Sequence, residues 1–242
     1  MFVQRLRQLI PSTLVVVAFA SVLTGCAMTQ PRTLEEDRNV KKVAIVSLLE
    51  EKTPVVHFGL TVFNNDYKIV DQKGELNRTA LRVVEERLHA ARPQWSIVAV
   101  PTDAALAAKL NDGIPWVSFT NRVKPELLAI ARDTGADLVF VMLDTTSDNT
   151  QARGMGIRTR TMNKDNVGNA MVHARIMLAL LDKNGEEIRR AGGPDGSVPA
   201  AEIGLNYDLS SLQDPAVEQR AAAAIRKQLE ATLIEATTSM GY

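Results

Sequence analysis

Side chains able to hold a metal or move a proton are few and scattered in this chain. The three histidines, His57, His89 and His173, stand far apart in unrelated contexts. His173 and Arg175 alternate onto one face of an expected strand. No neighbouring Cys, Asp or Glu completes a metal-ligand spacing there. Each histidine is therefore read as a surface or core residue. Glu85 and Glu86 are adjacent on an expected helix, so they diverge and cannot share acid–base work. Gly154-Met155-Gly156 lacks the third glycine and the following helix of a dinucleotide site. Phosphate-loop and nucleophile-elbow patterns do not occur in the sequence. A triad assembled from distant residues leaves no mark at this level. The expectation is a chain that is not an enzyme, with no catalytic residues, metal or cofactor.

One residue does point to chemistry. Cys26 is the sole cysteine, which rules out an internal disulfide and a cysteine-based zinc site. It follows a basic start, Arg5 and Arg7, and an apolar run over residues 14–23. Ten residues are too few to span roughly 30 Å of hydrocarbon and suit a secretion signal. Leu23-Thr24-Gly25-Cys26 resembles the bacterial lipobox. That resemblance implies cleavage before Cys26 and acylation of its thiol. Two or three acyl chains, each methylene worth ~0.8 kcal/mol when buried, make a stable anchor. Ala27 and Met28 follow the cysteine, and no Asp stands there. By the enterobacterial sorting rule this favours the outer membrane, facing the periplasm. The competing readings are a buried small hydrophobe at Cys26 and an uncleaved anchor.

The expected organisation is a signal over 1–25, a lipidated N-terminus and tether over 26–40, and an α/β periplasmic domain over 41–242. The whole chain carries 28 basic and 28 acidic residues, and the signal holds only basic ones. The mature part is thus slightly acidic, which disfavours nucleic acid as a partner. A content of 45% apolar residues excludes a disordered chain. The tether is polar and contains Pro31, and extended it reaches at most about 45 Å.

Hydrophobic period and turn residues place the elements that follow. Strands are expected over 41–49, 95–100 and 136–143, the last so apolar that it belongs inside the sheet. Residues 55–63 and 67–71 flank Asn64-Asn65-Asp66 and suggest a hairpin. Leu81, Val84 and Leu88 mark a helix over 76–91, stopped by Pro93. Thr102 is placed to cap a short helix from Asp103. Another helix is expected to begin at Pro125 and to end at Gly135. Residues 144–169 read as irregular, with a strand over 156–162. Residues 170–182 alternate, and Lys183-Asn184-Gly185 then turns into a strand over 186–190. Residues 192–214 read as a loop-rich stretch. Asp214-Pro215 opens a long closing helix bearing Val217, Ala221, Ile225, Leu229 and Leu233. The fold class expected is α/β, a single three-layer-like domain with a mixed β-sheet flanked by helices.

Gly135-Ala136-Asp137, the strand 138–142, the strand 172–181 and Asp182-x-x-Gly185 follow one another in a telling order. In this order the chain resembles, over residues 41–240, the periplasmic α/β domain shared by the TolB amino-terminal domain, the LpoB penicillin-binding-protein activator and the CsgG lipoprotein. The resemblance implies a lipoprotein that works through protein contacts without a catalytic site. It transfers no binding residues.

Two segments are candidate partner surfaces. Trp116, Val117 and Phe119 would form an aromatic contact site if exposed, or a cover over the sheet's edge if folded back. Arg153, Arg158, Arg160 and Lys164 form a basic stretch suited to an acidic protein or anionic glycan, or simply a solvated hairpin. The function expected is a non-enzymatic outer-membrane lipoprotein, an adaptor or assembly factor in an envelope complex. The alternatives are a CsgG-like channel subunit and a regulator of cell-wall synthesis. A channel needs spanning hairpins of about 9–11 residues per strand; Val56, Phe58, Leu60 and Val62 alternate, but 67–71 is short. A wall-synthase activator calls for a longer tether than this one.

Overall fold

Two apolar runs, Val43 to Leu48 and Leu138 to Leu143, are buried on both faces, and they set the architecture. The computed structural model describes residues 31–242 apart from 62, 64, 102–104, 106, 108–118, 146–153, 162–167 and 207, and only the backbone of 119–124. The strands are β1 (Lys42–Leu48), β2 (Lys52–Phe58), β3 (Asp66–Asp71), β4 (Ser96–Val100), β5 (Leu138–Asp144), β6 (Gly154–Arg160), β7 (Asn169–Asp182), β8 (Glu187–Ala191) and β9 (Gly196–Pro199). The helices are α1 (Glu75–Ala91), α2 (Phe119–Thr134), α3 (Ala200–Ile203) and α4 (Pro215–Met240), with a 3-10 turn at Ser210–Gln213.

The strands form one mixed sheet in the order β3-β2-β6-β7-β5-β1-β4, with β8 and β9 also pairing with β7. β1 runs parallel to β4 and β5, and β2 parallel to β6. The 14-residue β7 is antiparallel to all its partners. Leu178 to Leu181 pair with both β5 and β8, so these lie on opposite edges of β7. Met171 and Val172 pair with both β6 and β9 in the same way. The chain is thus an α/β domain with a mixed sheet flanked by helices.

Alternation divides the core into two layers. Val43, Ile45, Phe140, Met142, Ile176 and Leu178 meet α1 and α4 on one face. Ala44, Val46, Val139 and Val141 meet Leu127 and Ala131 of α2 on the other. Burying an apolar side chain of this kind contributes about 1.5–3 kcal/mol.

Several ends are closed as their residues demand. Asp214 accepts from the Ala216 amide at 2.9 Å, with Pro215 in the first turn of α4. Gly135 takes φ 66° after α2, and the Ala136 amide bonds back to Ala131 O at 2.9 Å. The start of α1 is capped from outside. Glu51 accepts from the amides of Leu76 and Asn77, and buried Asn77 bonds Ser47 Oγ and both backbone groups of Leu49. This polar knot ties the β1–β2 turn to α1 and aims the β2–β3 hairpin.

Three expectations need correction. α2 begins at Phe119, not at Pro125, which lies inside the helix. The ring forgoes one backbone bond, and burial of Leu127 and Ala131 offsets that loss. The strand expected over 156–162 runs Gly154–Arg160, because pairing with β7 from Arg175 to Met171 sets its limits. The stretch 192–214 holds β9, α3 and the 3-10 turn, elements too short to leave a periodic signature.

Residues 31–40 pack on the domain rather than trailing from it. Asp37 is buried between Arg32 and Arg92, its Oδ2 accepting from Arg92 Nε at 2.9 Å. The Arg32 amide donates to Met240 O at 2.8 Å. Arg92 lies over the rings of Trp95 and Tyr242, and Tyr242 packs against Trp95 and Phe140. Burial and the Asp37 carboxylate push the Tyr242 hydroxyl's pKa up. Any tether is therefore shorter than the sequence suggests.

Candidate functional site

The β2–β3 hairpin is the outermost part of the sheet, and its residues divide by face. Thr53, Val55 and His57 turn inward and are buried. His57 is held by Thr159 Oγ1 at 2.9 Å and Thr161 Oγ1 at 2.8 Å. Burial lowers its pKa, outweighing the pull of Asp66 and Asp208. It is a satisfied core histidine. On the other face the strand partners form a row, Tyr67–Val56–Arg158–Met171, crossing β3, β2, β6 and β7. Phe58 and Arg160 are the next pair along.

That outer face and the hairpin end carry six of the eight large apolar side chains exposed among the described residues. Phe58 is 41% exposed, Tyr67 58%, Ile69 44% and Met171 44%. At the hairpin end Leu60 is 69% exposed and Phe63 93%. Across the hairpin end Gly59 N–H donates to Asn65 Oδ1 at 3.0 Å. Arg160 is exposed beside this patch, and Arg158 is half-buried. Burial and the nearby Arg175 lower the Arg158 pKa. An apolar patch with a guanidinium at its margin is suited to protein recognition.

The sequence candidates are distributed unevenly. Arg158 and Arg160 lie on β6 in this row. Phe119 is the first residue of α2. Cys26, Trp116, Val117, Arg153 and Lys164 fall outside the described residues. The three histidines do not meet, and no group of three metal-ligating side chains occurs among the described residues. His89 is exposed in the last turn of α1. Gly154 and Gly156 belong to a strand. A Cβ at Gly156 would stand 2.4 Å from Pro54 O and 3.0 Å from His173 Cε1, so close packing demands glycine there. The hairpin's apolar face was not singled out as a partner surface. Its signal was the alternation of Val56, Phe58 and Leu60, which by itself does not say which side is wet.

No family model matches the chain, and no curated protein matches it. Among solved structures it is similar to the PelC dodecamer from Paraburkholderia phytofirmans, at 14% identity over 79% of this chain and 86% of that one, TM-score 0.28. It is similar to the LpoB C-terminal domain from Salmonella enterica at 13% identity, over 66% and 84% of the two chains, TM-score 0.23. A lipoprotein from Neisseria meningitidis shows 14% identity over 74% and 96%, TM-score 0.25. At this distance no residue role transfers.

Proposed function

We propose that this chain is an envelope lipoprotein of the bacterial outer membrane, anchored through Cys26, that works without catalysis as an adaptor or assembly factor. It faces the periplasm and grips a protein partner with the β2–β3 hairpin. The observation that carries the reading is the exposed set Phe58, Leu60, Phe63, Tyr67 and Ile69 beside Arg160. The Leu23-Thr24-Gly25-Cys26 motif supports the anchor. Among the described residues no helix is long and apolar enough to cross a membrane.

Geometry favours a protein over the anchoring membrane as the occupant of the hairpin. The start of β1, and with it the docked N-terminal segment, lies level with the C-terminal end of β7. The hairpin pairs with β6, which lies along the opposite end of β7. Fourteen residues at roughly 3.3 Å each put these ends about 40 Å apart. β2 and β3, with 7 and 6 residues, are shorter than the ~9–11 of a spanning strand. A channel subunit is therefore not the favoured reading.

A photo-crosslinking residue placed at Phe63 or Tyr67 of the full chain in cells tests this. One reproducible envelope-protein adduct, lost in Phe58→Ser, is expected. Adducts no more selective than those from a control position at Glu85 would remove the basis of the proposal.

A further inference from the structure

The middle of β7 carries a feature that the hairpin reading does not use. β5 and β6 pair with successive stretches of β7, and so do β8 and β9. Both successions break at the level of Arg175 and Ile176. A cavity of about 370 Å³ opens at this waist, lined by Thr145, Arg175, Ile176 and the loop from Gly192 to Asp195. Its outer loop is fixed rather than loose. A Cβ at Gly193 would lie 2.8 Å from Thr232 Cα, and Gln228 Nε2 donates to Pro194 O at 2.7 Å. The loop is pressed onto α4.

Two buried donor groups at the waist lack an acceptor. Arg175 Nη2 donates to Asp195 Oδ2 at 2.6 Å, but its Nε–H has no partner. His173, two residues further in on the same face and not itself a lining residue, is 1% exposed, and neither ring nitrogen has a partner. A neutral imidazole carries one N–H, so each residue holds an unmet donor. The positions opposite them on β6 are Gly156 and Gly154, which have no side chain to supply an acceptor. Native chains pair such groups almost without exception.

We propose that this waist binds an oxyanion, a carboxylate or a phosphate, whose oxygens accept from Arg175 Nε and the His173 imidazole. The charged groups facing His173 are Arg158 from β6 and Arg175 from β7. The acids of the waist are Asp195, on Arg175, and Asp144, whose carboxylate lies against Gly154. Burial first, then the two guanidiniums, hold the imidazole pKa down to about 4. An arriving anion reverses part of that field, so His173 takes up a proton and donates from it. Binding therefore tightens as the pH falls. The site stands or falls apart from the adaptor reading.

The test uses the full chain in detergent with inorganic phosphate, acetate, and a short peptide with either a free or an amidated C-terminus. Isothermal titration reads affinity, and the imidazole NMR signal absent from His173→Gln reads protonation. Saturable binding is expected with at least one probe, several-fold tighter at pH 5.5 than at 7.5, with the His173 signal moving to the imidazolium position. The responding probe identifies the source, phosphate or carboxylate. Arg175→Lys, which removes the Nε–H, should weaken binding about tenfold. Asp195→Asn, which removes the competing carboxylate, should strengthen it. Circular dichroism confirms that each variant folds. No saturable response in wild type and Asp195→Asn overturns the site. Binding that ignores Arg175→Lys, Asp195→Asn and pH overturns it equally.

Discussion

Replacing Asp37 with Ala should lower the stability of the whole domain, not merely release its first ten residues. The Asp37 carboxylate is fully enclosed, while the side chains of Arg92 and Arg32 are 6% and 11% exposed. Removing it strands two guanidiniums in a region poor in water. Breaking a buried pair from one side costs about 3–5 kcal/mol. The lower end applies here. Arg92 keeps its bond to Ala91 O at 3.1 Å and its seat over Trp95 and Tyr242, and water reaches Arg32. For about 200 residues each kcal/mol moves Tm by about 2–4 °C, so a loss of about 3 kcal/mol gives about 6–12 °C. Thermal melts by circular dichroism and urea titration measure this, with the midpoint falling and the slope unchanged. Asp37→Leu with Arg92→Met removes both charges and should recover much of the loss. A melting point for Asp37→Ala within about 2 °C of wild type would refute the reasoning, because the carboxylate would then not be holding buried charge.

Gly156→Ala should cost about 1–3 kcal/mol in urea titration, since a Cβ there meets Pro54 O at 2.4 Å, and an unchanged midpoint would count against the close packing. His173, with a pKa of about 4 when folded against 6.5 unfolded, gives a definite sign. Between these values the unfolded chain binds the extra proton, so stability rises with pH across the window and is lost as pH falls through it, by up to about 3 kcal/mol. His173→Gln should flatten that slope, and an equal slope in both proteins would contradict it. Cys26→Ser should abolish palmitate labelling and release the chain from the outer-membrane fraction; labelling that persists would place the anchor elsewhere.

The fold was legible where one physical signal dominated. The runs 138–143 and 43–48 are apolar on both faces because helices cover both, and Asp214-Pro215 and Gly135 mark helix ends by their own chemistry. The docking of residues 31–40 was not legible, because a polar stretch that contains Pro31 reads as a tether. Asp37 is buried against Arg92, 55 residues away, and pairing over that distance has no local trace. Thr33 and Glu36 did carry a local sign, the reciprocal capping pattern seen in the bonds Thr33 N to Glu36 Oε2 and Glu36 N to Thr33 Oγ1. At the candidate sites, alternation showed that Val56, Phe58 and His173, Arg175 share faces. Which face meets water depends on where α2 and α4 lie, and that is a tertiary matter.

The arrangement around β1 also determines how the domain bears a pull. Tension applied at residue 31 first meets the Arg32 amide on Met240 and the ion pair with Asp37. Beyond them it enters β1 along its own direction. β1 is flanked on both sides by parallel strands, β4 and β5, bonded from Lys42 to Leu48. Their backbone bonds lie across the line of force and are loaded together, so they must shear as a set instead of unzipping singly. A chain hauled from its N-terminal end thus loads the clasp before it loads the sheet.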